Sequence, residues 1–137
     1  MAELDVTVTS VNRMVWHGKA KAVVLKTVLG DMGILVGHEP VLAVLADGPL
    51  RIDTLPEEGG ESESLWFAVH GGFFSLDSNV MHILVEYTEM ASEIDLERAK
   101  AAKERAEAAG ADDEDEVEAL RRAETRIDVA MAASGKR

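Results

Sequence analysis

Position 88 divides this chain into two chemistries. All three prolines, all six aromatic residues and all four histidines lie before it. After it Ala, Glu, Arg and Lys dominate, and Gly occurs only at 110 and 135. Aromatic and β-branched residues punctuated by Gly and Pro suit strands and turns, whereas Ala, Glu, Arg and Lys suit helices. A chain of 137 residues has room for one domain and a small appendage around a real core. The split therefore predicts an α+β protein with its boundary between residues 87 and 92. A β domain is expected over 1–87 and a helical unit over 88–137.

Within the first unit, Leu4, Val6 and Val8 alternate with polar residues, the period of a half-buried strand. Met14 to Trp16 and Lys19 to Thr27 read as strands parted by a turn at His17-Gly18. The stretch from Gly30 to Leu50 is punctuated by Gly30, Gly33, Gly37, Pro40 and Asp47-Gly48-Pro49. Gly30 and Gly33 are expected to bracket a tight turn. The apolar runs Ile34 to Val36 and Val41 to Ala46 read as strands covered on both faces, because they are continuously apolar. Further strands are expected at Leu50 to Leu55, Leu65 to Val69, Phe73 to Leu76 and Val80 to Tyr87, with a polar hairpin tip at 56–63. The expectation is an N-terminal antiparallel β-sandwich, or flattened barrel, of about eight to ten short strands.

The second unit reads as an antiparallel two-helix hairpin. Ser92 with Asp95 is a capping-box-like start, and Gly110 is the stop. Lys100–Glu104 and Lys103–Glu107 have helical ion-pair spacing. The first helix offers a nearly all-alanine stripe of Ala99, Ala102, Ala106 and Ala109 with Ile94. The second offers Val117, Leu120, Ala123, Ile127, Ala130 and Met131. Stripes this thin bury little area, so the hairpin is expected to be marginally stable and able to detach.

Charge and chemistry exclude several functions. A net charge of −12 repels a phosphate backbone, which argues against a nucleic-acid partner. Without cysteine there is no disulfide framework and no thiolate metal site. No apolar run approaches the length of a membrane span, and the acidic N-terminus has no secretory n-region. Glycine-rich phosphate loops are missing, and His17, His70 and His82 have no second ligand at metal-binding spacing. The sequence offers no assignable nucleophile and hence no catalytic residues.

Four segments carry a resemblance. Gly30-Asp31-Met32-Gly33-Ile34-Leu35-Val36-Gly37-His38-Glu39-Pro40-Val41-Leu42, Gly48-Pro49-Leu50-Arg51-Ile52, Val69-His70-Gly71-Gly72-Phe73 and Glu93-Ile94-Asp95-Leu96-Glu97-Arg98-Ala99 occur in order. Together they resemble the epsilon subunit of bacterial F-type ATP synthases, from about Leu4 to Ala133. The departures are Val85-Glu86-Tyr87-Thr88, where family members often have Ala-Asp-Thr-Ala, Val36, where Pro is common, and an unusually acidic hairpin tip at 56–64 and linker at 110–116. The resemblance implies a sandwich with a helical hairpin and a non-catalytic rotor subunit of a proton-translocating enzyme. Such a subunit links gamma to the membrane ring of c subunits and restrains ATP hydrolysis through a hairpin that reaches the alpha/beta head. It would lie peripherally on the cytoplasmic face of the bacterial plasma membrane. The competing reading is a stand-alone sandwich adaptor with a helical tail.

The apolar central stretch meeting small Gly turns lets a partner backbone approach closely, and with the resemblance it supplies site candidates. His38, Leu42 and Phe73 are the gamma-contact candidates, with His38 equally readable as a turn histidine bonding its own backbone. Asp31 and Met32, in the Leu29 to Gly33 turn, are the candidates for meeting the c ring. Ile94-Asp95-Leu96-Glu97-Arg98-Ala99 resembles the Ile-Asp-x-x-Arg-Ala motif of epsilon subunits that bind ATP without hydrolysing it. Asp95, Arg98 and Arg105 share one helix face and Arg122 and Arg126 another, so these five are candidates for a regulatory ATP. The alternative is an ordinary capped helix whose arginines pair with neighbouring carboxylates. No other cofactor is implied.

Overall fold

The computed structural model describes residues 2–56, 60–110 and 114–135. The middle of the expected acidic hairpin tip, the acidic residues Asp112 and Asp113, and Lys136 and Arg137 lie outside them. Seven strands are formed among the described residues: β1 (Leu4–Ser10), β2 (Met14–Thr27), β3 (Gly30–Leu35), β4 (Val41–Val44), β5 (Gly48–Thr54), β6 (Ser64–Asp77) and β7 (Val80–Met90). Two helices follow, α1 (Leu96–Ala109) and α2 (Glu114–Ala133). The sheet order β1-β7-β6-β5-β2-β3, with β1 also pairing β2, closes five strands into a flattened ring. β3 flanks β2, and β4 flanks β6.

Seven strands stand where about eight to ten were expected, because two expected turns lie inside strands. His17-Gly18 sits within β2, with Gly18 opposite Val6. Gly18 is needed for packing rather than turning: a Cβ there would meet the Trp16 ring at 2.5 Å. His70-Gly71-Gly72 likewise sits within β6. Gly72 has φ +134, and a Cβ would lie 2.1 Å from the Leu84 carbonyl oxygen. There β6 passes from pairing with β5 to pairing with β4, while keeping its register with β7.

Three further expectations change. The β2–β3 turn is at Val28-Leu29, not between Gly30 and Gly33, which lie in β3. The Thr27 hydroxyl closes it, accepting from Leu29 N at 3.1 Å and donating to Gly30 O at 2.8 Å. The sandwich is not wholly antiparallel, since β1 and β7 run parallel from Asp5↔Val80 to Ser10↔Val85. Strands this remote in sequence meet without a hairpin turn, so no local signal sets their sense. β7 also continues past Tyr87 to Met90.

Leu4, Val6 and Val8 point inward as their alternation predicts, against Ile34, Ile52, Phe67, Phe74, Met81 and Ile83. Neither apolar run is covered on both faces: in the first Ile34 is buried but Leu35 is 65% exposed. Val41 and Ala43 pack on the core, while Leu42 and Val44 are 71% and 56% exposed because no layer lies over that side.

The hairpin folds back so that α2 packs on β5 and β6, with α1 packed on α2. Ser92 does not start the helix: Ala91–Glu93 forms a single 3-10 turn. Asp95 is the N-cap, its Oδ1 accepting from Arg98 N at 3.0 Å. Lys100 lies near Glu97 at 4.0 Å rather than pairing with Glu104, and Lys103 lies 4.0 Å from Glu107. Ala99 and Ala106 are buried on α1, Ala123, Thr125 and Val129 on α2. Val117 is exposed. Because α2 meets both α1 and the sheet, it buries more than one stripe, and Thr125 and Val129 lie outside the expected one.

Candidate functional site

One outward face of the sandwich is apolar. Strand registry places Val44, Phe73, Leu84 and Thr9 in a row across β4, β6, β7 and β1. Phe73 and Leu84 are 46% and 40% exposed, and Leu42 and Val11 extend the patch on either side. These residues line an open groove of about 780 Å³ that ends near Glu86. Contiguous apolar surface of this kind marks an interaction site. Leu42 and Phe73, both named from sequence, are thus brought together. His38 is not among the groove's lining residues. Its Nδ1 lies 2.7 Å from its own neighbour's carbonyl, Glu39 O, which is the turn-histidine arrangement. Val44, Leu84 and Val11 were missed. The available signal was an apolar residue at outward registers, such as Leu84 between His82 and Glu86.

A second exposed feature is the β2–β3 tip. Leu29 is 97% exposed and Val28 61%. Asp31 is exposed beside them, but Met32 faces the other way and packs against the core, beside inward-facing Ile34. The strand period of two explains the correction: Met32 and Ile34 share the inner face. Two apolar residues ahead of Gly30 were the overlooked sign.

The arginines are divided between two clefts. Asp95, Arg98, Arg105 and Arg126 line one of about 330 Å³, together with Tyr87, Glu89 and Glu93. Arg122 lines a neighbouring cleft of about 480 Å³ between α2 and the sheet, and its Nη1 is 3.8 Å from Glu118. Arg126 borders both and its Nε donates to Glu89 Oε1. Burial works against the Arg126 charge, but the bonds to Glu89 and Tyr87 outweigh it and raise its pKa above the ordinary value. Three arginines in the first cleft thus face Glu89, Glu93 and Asp95, and two of these six groups are already committed to each other.

Comparison with known proteins decides what these features belong to. Residues 3–91 match the family model described as the ATP synthase, Delta/Epsilon chain, beta-sandwich domain. The ATP synthase epsilon chain of Streptomyces avermitilis is 42% identical over 126 residues, covering 92% of this chain and 94% of its own length. That of Streptomyces coelicolor is 40% identical over 135 residues, covering 98% of each. The chain belongs to the ATP synthase epsilon chains. A chain in the Euglena gracilis mitochondrial ATP synthase superposes with a TM-score of 0.74 at 26% identity, over 98% of this chain and 82% of that one. A chain of the Tetrahymena thermophila central stalk and c-ring structure shares the fold, with a TM-score of 0.59 at 20% identity over 96% of each.

As an epsilon chain the protein is a subunit of ATP synthase, a membrane-associated complex. No helix among its described residues is long and apolar enough to cross a membrane. The family model ends at residue 91, one residue beyond β7, so it covers the sandwich and stops before the hairpin that carries the arginines.

Proposed function

We propose that this epsilon chain is a non-catalytic rotor subunit whose sandwich docks on gamma through the Val44–Phe73–Leu84 face. The apolar row Val44–Phe73–Leu84 across β4, β6 and β7 carries this reading, because it is continuous and exposed among the described residues. The Val28-Leu29 tip with Asp31 would meet the polar loops of the c ring, Asp31 adding register more than affinity. On this reading the protein lies peripherally on the cytoplasmic face of the bacterial plasma membrane. The hairpin restrains ATP hydrolysis when it leaves the sandwich and reaches the alpha/beta head.

The first cleft is better explained by ion pairing than by ATP. Asp95 is spent as a helix cap, Arg126 is held by Glu89, and Arg122 lies in the other cleft. Calorimetry on the full chain is expected to show no ATP binding at millimolar concentration. Binding that disappears in Arg98→Ala with Arg126→Ala would restore the nucleotide site.

The gamma surface is tested with Leu42→Ala combined with Phe73→Ala. Both side chains are exposed, so the fold should stay intact while gamma affinity falls about tenfold or more. His38→Ala should leave it nearly unchanged. Undiminished gamma affinity in the folded double variant would remove this face from the interface.

A further inference from the structure

His70 lies on β6 beneath α2. It is 6% exposed, and both its ring nitrogens are buried without a hydrogen-bond partner among the described residues. A polar ring left in this state costs stability, and its protonated form would cost more. Glu89 Oε1 is 3.9 Å from His70 Nε2, beyond hydrogen-bond range. That same oxygen is the one bonded by Arg126 of α2. One carboxylate of β7 therefore stands between two cation candidates, one in the sandwich and one in the hairpin.

We propose that His70, Glu89 and Arg126 form an acid-released latch holding the hairpin on the sandwich. With His70 neutral, Glu89 serves Arg126 and α2 stays docked. When His70 takes a proton, it competes for Glu89, and the charge is relieved by lifting α2 so that water reaches the ring.

The surrounding groups set the sign. From β7, Tyr87 stacks obliquely on His70 with ring centres 5.5 Å apart, and Glu86 lines the same cleft as His70. Asp47 approaches from the segment before β5. From α2 come Glu118, Arg121, Arg122 and Arg126. In the docked state burial, then Arg126, holds the imidazole below its ordinary value of 6.5, with Asp47 and Glu89 opposing and Arg122 assisting. Lifting α2 removes the burial and the arginines together, and leaves Asp47, Glu86 and Glu89 on the sandwich. The undocked ring therefore binds a proton more readily than the docked one. Docking is fully present above the ordinary histidine value and is lost as pH falls below it, by up to about tenfold per pH unit.

This deepens the regulatory reading of the hairpin and rests on it only for its effect on ATP hydrolysis. Docking itself is measured on the full chain. Because the chain has no cysteine, spin labels can be placed cleanly at Asp77→Cys on the sandwich and Glu124→Cys on α2, both exposed. The distance between them should lengthen as pH drops from about 7.5 to about 5.5. His70→Gln should stay docked throughout, and Glu89→Gln should be loosened already at neutral pH. An unchanging distance in the parent chain, or an equal response in His70→Gln, overturns the latch. So does a His70 ring that titrates by NMR at or above its ordinary value in the docked chain. Failure of the regulatory reading looks different: removal of the hairpin would leave ATP hydrolysis unaltered while docking still followed pH.

Discussion

The sandwich encloses Phe67, Phe74, Ile52 and Met81 completely, whereas among the described residues of the hairpin the fully enclosed apolar side chains are Ala123 and Val129. Burying one large apolar side chain contributes roughly 1.5–3 kcal/mol, and an alanine methyl about 0.8 kcal/mol. The hairpin compensates with polar contacts, above all the Arg126–Glu89 bond that ties α2 to β7. Such a bond is directional and is lost when the partners separate by a few ångströms, while dispersed apolar burial fails gradually. On the proposed reading, this contrast separates a firm docking half from a releasable one.

The comparison breaks most readily in the core. Phe67→Ala should lower global stability by about 3–5 kcal/mol, read from the denaturant midpoint. Val129→Ala, equally buried on α2, should cost roughly 1–2 kcal/mol and register as faster hydrogen exchange in the hairpin alone. If both variants shift the global transition alike, the halves unfold as one unit and the contrast is false.

A smaller effect sharpens the sandwich side. Gly72→Ala places a Cβ against the Leu84 carbonyl at a backbone conformation that strains other residues. That strain should cost about 1–3 kcal/mol or more and loosen β4 from β6 first. Hydrogen exchange at Leu45, whose amide donates to Gly72 O at 2.9 Å, is the local reporter. Slow exchange there in the variant would show that the change of partner strand does not depend on glycine.

The smallest expected effect lies at the start of α1. Asp95→Ala removes the cap on Arg98 N and should cost about 1 kcal/mol of hairpin stability. The sandwich should unfold at an unchanged denaturant concentration. A change in ATP binding rather than in helix fraying would favour a nucleotide role for this residue.

Much of this molecule was legible from local pattern. The alternation of Leu4, Val6 and Val8 predicted their inward row. Gly110 ended α1 as expected. These features depend on neighbours in the chain, which periodicity and capping report directly. The motif order also carried the family.

Tertiary structure decided the rest. Gly18 and Gly72 look like turn residues in sequence, but the fold uses them where a side chain or a carbonyl comes too close for a Cβ. Val41 to Val44 reads as doubly buried, but only the absence of a covering layer shows that Leu42 and Val44 face outward. The same holds for the charges. Sequence grouped Arg122 with Arg126 by helical spacing, yet β7 supplies the Glu89 that binds one and not the other. Spacing along a helix fixes which residues share a face. What that face meets depends on strands 30 or more residues away, as in the |i−j| of 37 between Glu89 and Arg126, and no local pattern encodes it.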